Sequence, residues 1–446
     1  MHQGGQHVQK NLTFSGNVAI LSQALTVVPG LRQPPNDEVF PGLMHRRHLL
    51  TLAQWIGLGA IVGVLCGASS ALFLYFLGWV TDFRSGHELI VYALPAAGLA
   101  IGWFFERFGR SILSGSNLII DTIHDNGPQI PVRMAPMVLL GSVLTHLFGG
   151  SVGREGVAVQ MGASLTDAVC HRLKLTPEMR RQLLIAGVAG GVGSVIGAPI
   201  AGAIFGMEFM SLGGMTFGAL LPALIASVTG DWTTRALGIH RTVFPSPMHL
   251  DLTPILILKW LLFAIAVAAV SIAFIEATKG LKRIADKYAI RLPVRMFIGG
   301  VLIVVLWQLA GTSDYLGLGI PGILRAFADP QLPVVAFAAK LVFTAVAIGS
   351  GYPGGEVVPL FFIGASLGNV MARMLGVPLD MSAGIGMAAV FAASANAPLA
   401  LSVMAMELLG FSMFPHVAIV CFLAFVLSGR RSIYSSQVKK RALRGM

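Results

Sequence analysis

Across 446 residues only 11% are charged while 55% are hydrophobic, and the mean hydropathy is +0.77. A water-soluble domain carries about 25% charged residues, so this supply cannot cover a water-facing surface. The formal net charge of +11 would suit nucleic acid, but the cations sit in short tracts between apolar runs rather than on one face.

Residues 1–47 are polar and contain Pro and Gln, with no basic start, apolar core and cleavage site in succession. They are expected to be a flexible cytoplasmic segment and not a signal peptide. Uncharged runs follow at Thr51–Val80, Leu183–Met207, Phe209–Gly230, Met381–Met406 and Leu408–Gly429. Each exceeds the ~20 residues that cross a bilayer as helix. With the shorter runs beside Lys259, Arg295, Arg154 and Glu356, roughly ten spanning or half-spanning helices fit. The basic tracts, among them Arg46-Arg47, Arg180-Arg181 and Lys439-Lys440-Arg441, read as loops retained in the cytoplasm, with both termini inside. The expected layout is a membrane domain over 48–436, in halves 48–277 and 296–436 divided by the charged stretch Thr278–Arg295, and a basic cytoplasmic tail at 437–446.

The two halves resemble each other. Gly162-Ala163-Ser164-Leu165 returns as Gly364-Ala365-Ser366-Leu367, 202 positions later. Ala198-Pro199 and Glu208 return as Ala397-Pro398 and Glu407, 199 positions later. Paired Gly/Pro-interrupted apolar segments in corresponding places mark a transporter's binding site. Spacing alone leaves open whether the repeats run parallel or inverted.

The charged residues kept inside this apolar frame carry the chemistry, because an unpaired charge in hydrocarbon costs several kcal/mol. Arg154 and Glu155 stand between Gly153 and Gly156, where a loop turns into a helix. Free N–H groups at such a helix start favour an anion. An ionised glutamate there competes with that anion and leaves when protonated, so Glu155 serves as gate and proton carrier. The bland alternative is that Glu155 pairs with Arg154 or caps the helix.

Gly153-Arg154-Glu155-Gly156-Val157-Ala158-Val159-Gln160 resembles the GREGPxVQ signature of the CLC family of chloride channels and anion/proton antiporters. Gly197-Ala198-Pro199 through Glu208, Gly351 to Pro359 (GYPGGEVVP) and Asn396-Ala397-Pro398 with Glu407 resemble the family's later motifs. The resemblance implies an all-α, inverted-repeat membrane fold whose broken helices meet at the midplane, and a homodimer in a lipid bilayer. It implies Glu155 as the external gate. It further implies that an anion is bound by backbone amides at Gly153, Arg154, Gly156, Val357 and Val358, with Ser116, Asn117, Glu356 and Phe411 around them. The chain ends soon after Tyr434, so the cytoplasmic nucleotide-binding pair of many eukaryotic members is expected to be absent.

Departures narrow the reading. GSGIP becomes Gly115-Ser116-Asn117-Leu118-Ile119, and Glu356 replaces an apolar residue. Phe209 stands where chloride antiporters keep their proton glutamate, so Glu208 is expected to make a helix-end hydrogen bond near the cytoplasmic face. The tyrosine expected after the second Ala-Pro motif is missing, and Phe411 lies nearest to its place. These features resemble the bacterial fluoride/proton antiporter branch, which implies a bacterial inner-membrane location and fluoride export in exchange for protons. The retained Ser116 favours the alternative, a chloride channel or antiporter. Fluoride demands close hydrogen-bond donors to replace its water, which Asn117 and a protonated Glu356 could supply. No nucleophile–base or metal constellation points to an enzyme, and neither a cofactor nor a nucleic-acid partner is expected. His146 and His416 read as packed, hydrogen-bonded residues, and Cys66, Cys170 and Cys421 as packing residues.

Overall fold

A computed structural model describes residues 41–125, 127–212, 214–247 and 250–437, with side chains from residue 49. The expected segment 1–47 therefore lies largely outside the described residues, as does the basic tail from 438. By its contacts the chain falls into Met1–Thr51 and Leu52–Met446, and the architecture below is that of the second unit.

The first set of helices comprises α1 (Pro41–Gly86), α2 (Leu94–Phe108), α3 (Ser116–Asp125), α4 (Met134–Leu147), α5 (Glu155–Arg172), α6 (Pro177–Ile196), α7 (Pro199–Glu208) and α8 (Leu220–Ala236). The second comprises α9 (Pro254–Lys287), α10 (Leu292–Ala310), α11 (Ile320–Ala328), α12 (Ala336–Gly349), α13 (Val357–Leu375), α14 (Leu379–Ala395), α15 (Pro398–Leu409) and α16 (Phe414–Ser428). The repeat spacings pair α5 with α13 and α7 with α15. Counting back, α9 opens the second half. The charged stretch Thr278–Arg295 holds the end of α9, the turn at 288–291 and the start of α10.

Six described helical stretches are long and apolar enough to cross a bilayer. On α9 and α10, Leu258, Ile265, Val305 and Leu309 are exposed large apolar side chains, which suits a lipid-facing rim. The α13 helix is central instead, with 83% of its most apolar stretch buried. The remaining helices are shorter because the chain breaks them. Gly197 ends α6 in the left-handed region (φ 80°), Ala198 is non-helical (φ −126°, ψ 79°), and Pro199 starts α7 at a position that needs no N–H. Asn396 (φ 57°), Ala397 and Pro398 repeat this between α14 and α15.

The repeated tetrads have a packing cause. A Cβ on Gly162 would stand 2.4 Å from the Gly187 carbonyl oxygen, so the α5 and α6 backbones touch there. Gly364 and Gly386 bring α13 and α14 together equally closely. Without a hydrophobic drive between helices in lipid, such close backbone packing holds them together. A buried ion pair adds to the first pair, with Asp167 of α5 accepting from Arg180 of α6 at 2.6 and 2.9 Å.

Contacts across the halves decide the sense of the repeat. Gly355 N donates to Gly153 O at 2.8 Å and Gly153 N donates back to Gly355 O at 2.5 Å. Glu208, ending α7, accepts from Leu399 N (3.2 Å) and Ala400 N (2.8 Å) at the start of α15. Glu407, near the end of α15, accepts from Ile200 N (3.0 Å) and Ala201 N (2.7 Å) at the start of α7. Each of these equivalent helices thus ends against the start of the other, so α7 and α15 run antiparallel, as inverted repeats require. The halves are inverted.

Candidate functional site

Two glycine turns carry the site. The bridge between Gly153 and Gly355 sets the starts of α5 and α13 side by side, close enough that a Cβ on Gly355 would stand 2.6 Å from Gly156 N. The α7 and α15 starts lie against them but are closed by the reciprocal glutamates. The residues preceding α5 and α13, Arg154 and Glu356, place no side-chain cap on those helices. Of these four helix starts, α5 and α13 are the two left to face an anion.

A cavity of about 10 Å³ lies at this junction, lined by Glu155, Phe205, Val357, Phe391, Met404 and Tyr434 among others. That is room for roughly one water molecule. Among the described residues, Glu155 and Tyr434 bring the only ionisable or hydroxyl side chains to its wall; the rest of the lining is apolar or glycine. Beside it opens a wider cavity of about 220 Å³, lined by Arg154, Asp231, Arg235, His240 and Arg241 and by Gly197 of the α6–α7 break. Arg154 faces the wide cavity and Glu155 the narrow one, with Arg154 Nε donating to Glu155 Oε1 at 3.3 Å. Arg154 N also donates to Glu155 Oε2 at 3.3 Å. The buried Glu155 carboxylate thus lies over the start of its own helix, where an anion would meet the N–H groups.

The other expected site residues are distributed unevenly. Glu356 is half-buried at the start of α13, its Oε2 3.7 Å from where a Cβ on Gly156 would stand. By the repeat spacing it matches Arg154, while Val357 matches Glu155. Val357 lines the narrow chamber, and Val358 is buried against Gly153. Ser116 and Asn117 open α3 half-buried, outside the chamber lining. The Asn117 carboxamide oxygen accepts from Ser436 N at 3.0 Å, so that end of the side chain holds the chain's own tail.

Phe411 lines neither cavity. It is 80% exposed, in a short turn just beyond α15. The chamber's aromatic hydroxyl comes from Tyr434, 4% exposed, on irregular backbone beyond α16. Sequence reasoning noticed Tyr434 only as a landmark near the chain's end; irregular backbone gives no periodicity to mark it. His146 and His416 are packed and hydrogen-bonded, the first to the carbonyls of Ser142 and Val152, the second to Trp260 Nε1 and the Leu250 carbonyl. All three cysteines are free and buried.

The family model described as voltage gated chloride channel matches residues 97–429, most of the membrane domain. The chain belongs to the CLC family. A chloride/fluoride channel protein of Pseudomonas syringae pv. tomato is 42% identical over 397 residues, covering 86% of each chain. Among solved structures, a CLC-type fluoride/proton antiporter superposes with a TM-score of 0.84 at 34% identity, covering 86% of this chain and 98% of the other. A slow cyanobacterial Cl⁻/H⁺ antiporter shares the CLC fold with a TM-score of 0.73 at 20% identity, covering 88% and 98%.

Proposed function

We propose that this CLC protein is a secondary transporter of the bacterial inner membrane that exports fluoride in exchange for protons. The observation that carries the reading is the Glu155 carboxylate lying over the α5 start at the wall of a one-water chamber. Ionised, it occupies the place of an anion; protonated, it loses its hold on Arg154 and yields that place. Anion and proton movement are then linked through one group. Fluoride is close to water in size, whereas chloride is larger, so the chamber's dimensions support the smaller ion. Two relatives bearing fluoride in their names or titles support it further.

Glu356 gives the selectivity. A protonated carboxyl near the α13 start donates a short, strong hydrogen bond to fluoride, while an ionised one repels any anion at reduced dielectric. The second reading, chloride transport on the same scaffold, is favoured by Ser116 and by the chamber tyrosine, residue types that resemble those of chloride-transporting members.

The test is parallel efflux of fluoride and chloride from liposomes, with a pH electrode recording proton uptake. Fluoride efflux that drives protons inward, with little chloride movement, is the expected result. Equal chloride efflux would replace the fluoride reading, and anion flux without proton movement would make the protein a channel.

A further inference from the structure

Tyr434 reaches the chamber from a segment that no long helix supports. It follows α16 and Gly429, where φ is 70°, on irregular backbone, and a single helical turn at 435–437 comes after it. Its ring meets Phe209 edge-on at 4.7 Å between centroids. Upstream, Ile433 N donates to the Ser394 carbonyl and Asn396 Nδ2 to the Arg431 carbonyl, each at 3.0 Å. On the far side of Tyr434 the segment is held by a polar cluster built around a fully buried carboxamide.

That carboxamide is Gln437, 0% exposed. Its Nε2 donates to the carbonyl of Phe209 at 2.6 Å, just past the end of α7, and to that of Ala395 at 3.1 Å, the last residue of α14. Its Oε1 accepts from Ser432 Oγ at 2.6 Å and from Asn396 Nδ2 at 3.4 Å. Ser432 Oγ in turn accepts from Tyr434 N at 3.0 Å. A second tie runs from Ser436 N to Asn117 Oδ1 at the start of α3. The last carbonyls of a helix lack partners within it, so Gln437 satisfies the ends of two chamber-lining helices and anchors the tail to both.

A buried carboxamide with all these bonds made is a geometric constraint as much as a stabilising one. Leucine fills nearly the same volume but would leave the Phe209 and Ala395 carbonyls without these donors and Ser432 without its acceptor. We propose that Gln437, assisted by Asn117, is a positioning residue that holds Tyr434 at the inner wall of the anion chamber and thereby sets the coupling of anion to proton. The coupling part rests on the antiporter reading above; the placement of Tyr434 does not.

Two measurements separate these parts. In a Tyr434→Cys background, the introduced thiol is challenged with a water-soluble thiol reagent; the three native cysteines are buried. Gln437→Leu is expected to raise its modification rate at least about tenfold, and Asn117→Leu to raise it in the same direction, for a protein that still elutes as a single species. An unchanged rate in the folded variants overturns the placement. With Tyr434 restored, Gln437→Leu is expected to lower the protons moved per anion several-fold, and to add nothing when combined with Tyr434→Ala, because both act through one hydroxyl. A variant that melts earlier but keeps its proton-to-anion ratio would reduce Gln437 to a purely structural residue and overturn the proposal. If the parent itself moves no protons with its anion, the antiporter reading falls, while the modification rates still decide where Tyr434 is held.

Discussion

The reciprocal glutamates offer the most decisive perturbation. Glu208 and Glu407 each accept two backbone N–H bonds at the start of the other's helix, at 2.7 to 3.2 Å. A hydrogen bond to a charged group contributes about 1.5–3 kcal/mol net. Glutamine keeps one acceptor oxygen but turns an NH₂ group toward the second N–H, so it removes one bond and opposes two donors. Glu208→Gln should therefore cost about 2–3 kcal/mol, as should Glu407→Gln by the two-fold relation. Removing both should cost more than either. The assay is thermal melting of the purified protein in detergent beside proton uptake in liposomes. Because neither glutamate lines the chamber, Glu208→Gln should lower the melting temperature and leave proton coupling largely intact. Loss of proton pumping with unchanged melting would refute the reasoning and place Glu208 on the proton route, one residue from where chloride antiporters keep their donor.

The remaining perturbations act at the chamber itself. Glu155→Gln keeps the shape but cannot carry a proton, so proton pumping driven by an anion gradient should fall at least about a hundredfold; pumping at the parent rate would remove Glu155 from the mechanism. Glu356→Ala deletes a charge-strength donor of about 1.5–3 kcal/mol, so fluoride flux should drop about tenfold or more while yield and size-exclusion profile hold. The fluoride-over-chloride ratio should fall with it, and a well-folded variant with unchanged flux and selectivity would sink the role given to Glu356. Gly355→Ala puts a methyl group 2.6 Å from Gly156 N and forces the α5 and α13 starts apart, at about 1–3 kcal/mol of overpacking. Transport should be lost before folding is, as read by flux beside size-exclusion profile.

Much of this protein is legible along the chain because the signals are local. Charge dilution and apolar runs require a membrane fold, Ala-Pro breaks end helices where proline cannot continue them, and a glycine-flanked Arg154-Glu155 marks a helix start poised for an anion. The repeat is legible too, since GASL and the Ala-Pro pairs recur at nearly one spacing. Its sense is not: a spacing of 199 or 202 is the same for a parallel and an inverted repeat, and only the exchanged contacts of Glu208 and Glu407 distinguish them. Nor could local pattern show that the chamber's hydroxyl comes from Tyr434 and not from the neighbourhood of Phe411, since that choice depends on where irregular backbone is carried after α16. Asn117 makes the same point at the scale of one side chain. Its amide promised donors for an anion, but its side chain lies outside the chamber lining and its oxygen is taken by Ser436 N, 319 positions away. Local sequence determines which helices form and where they break; which side chains then meet is decided by long-range packing, because each polar group must find a partner in an interior without bulk water.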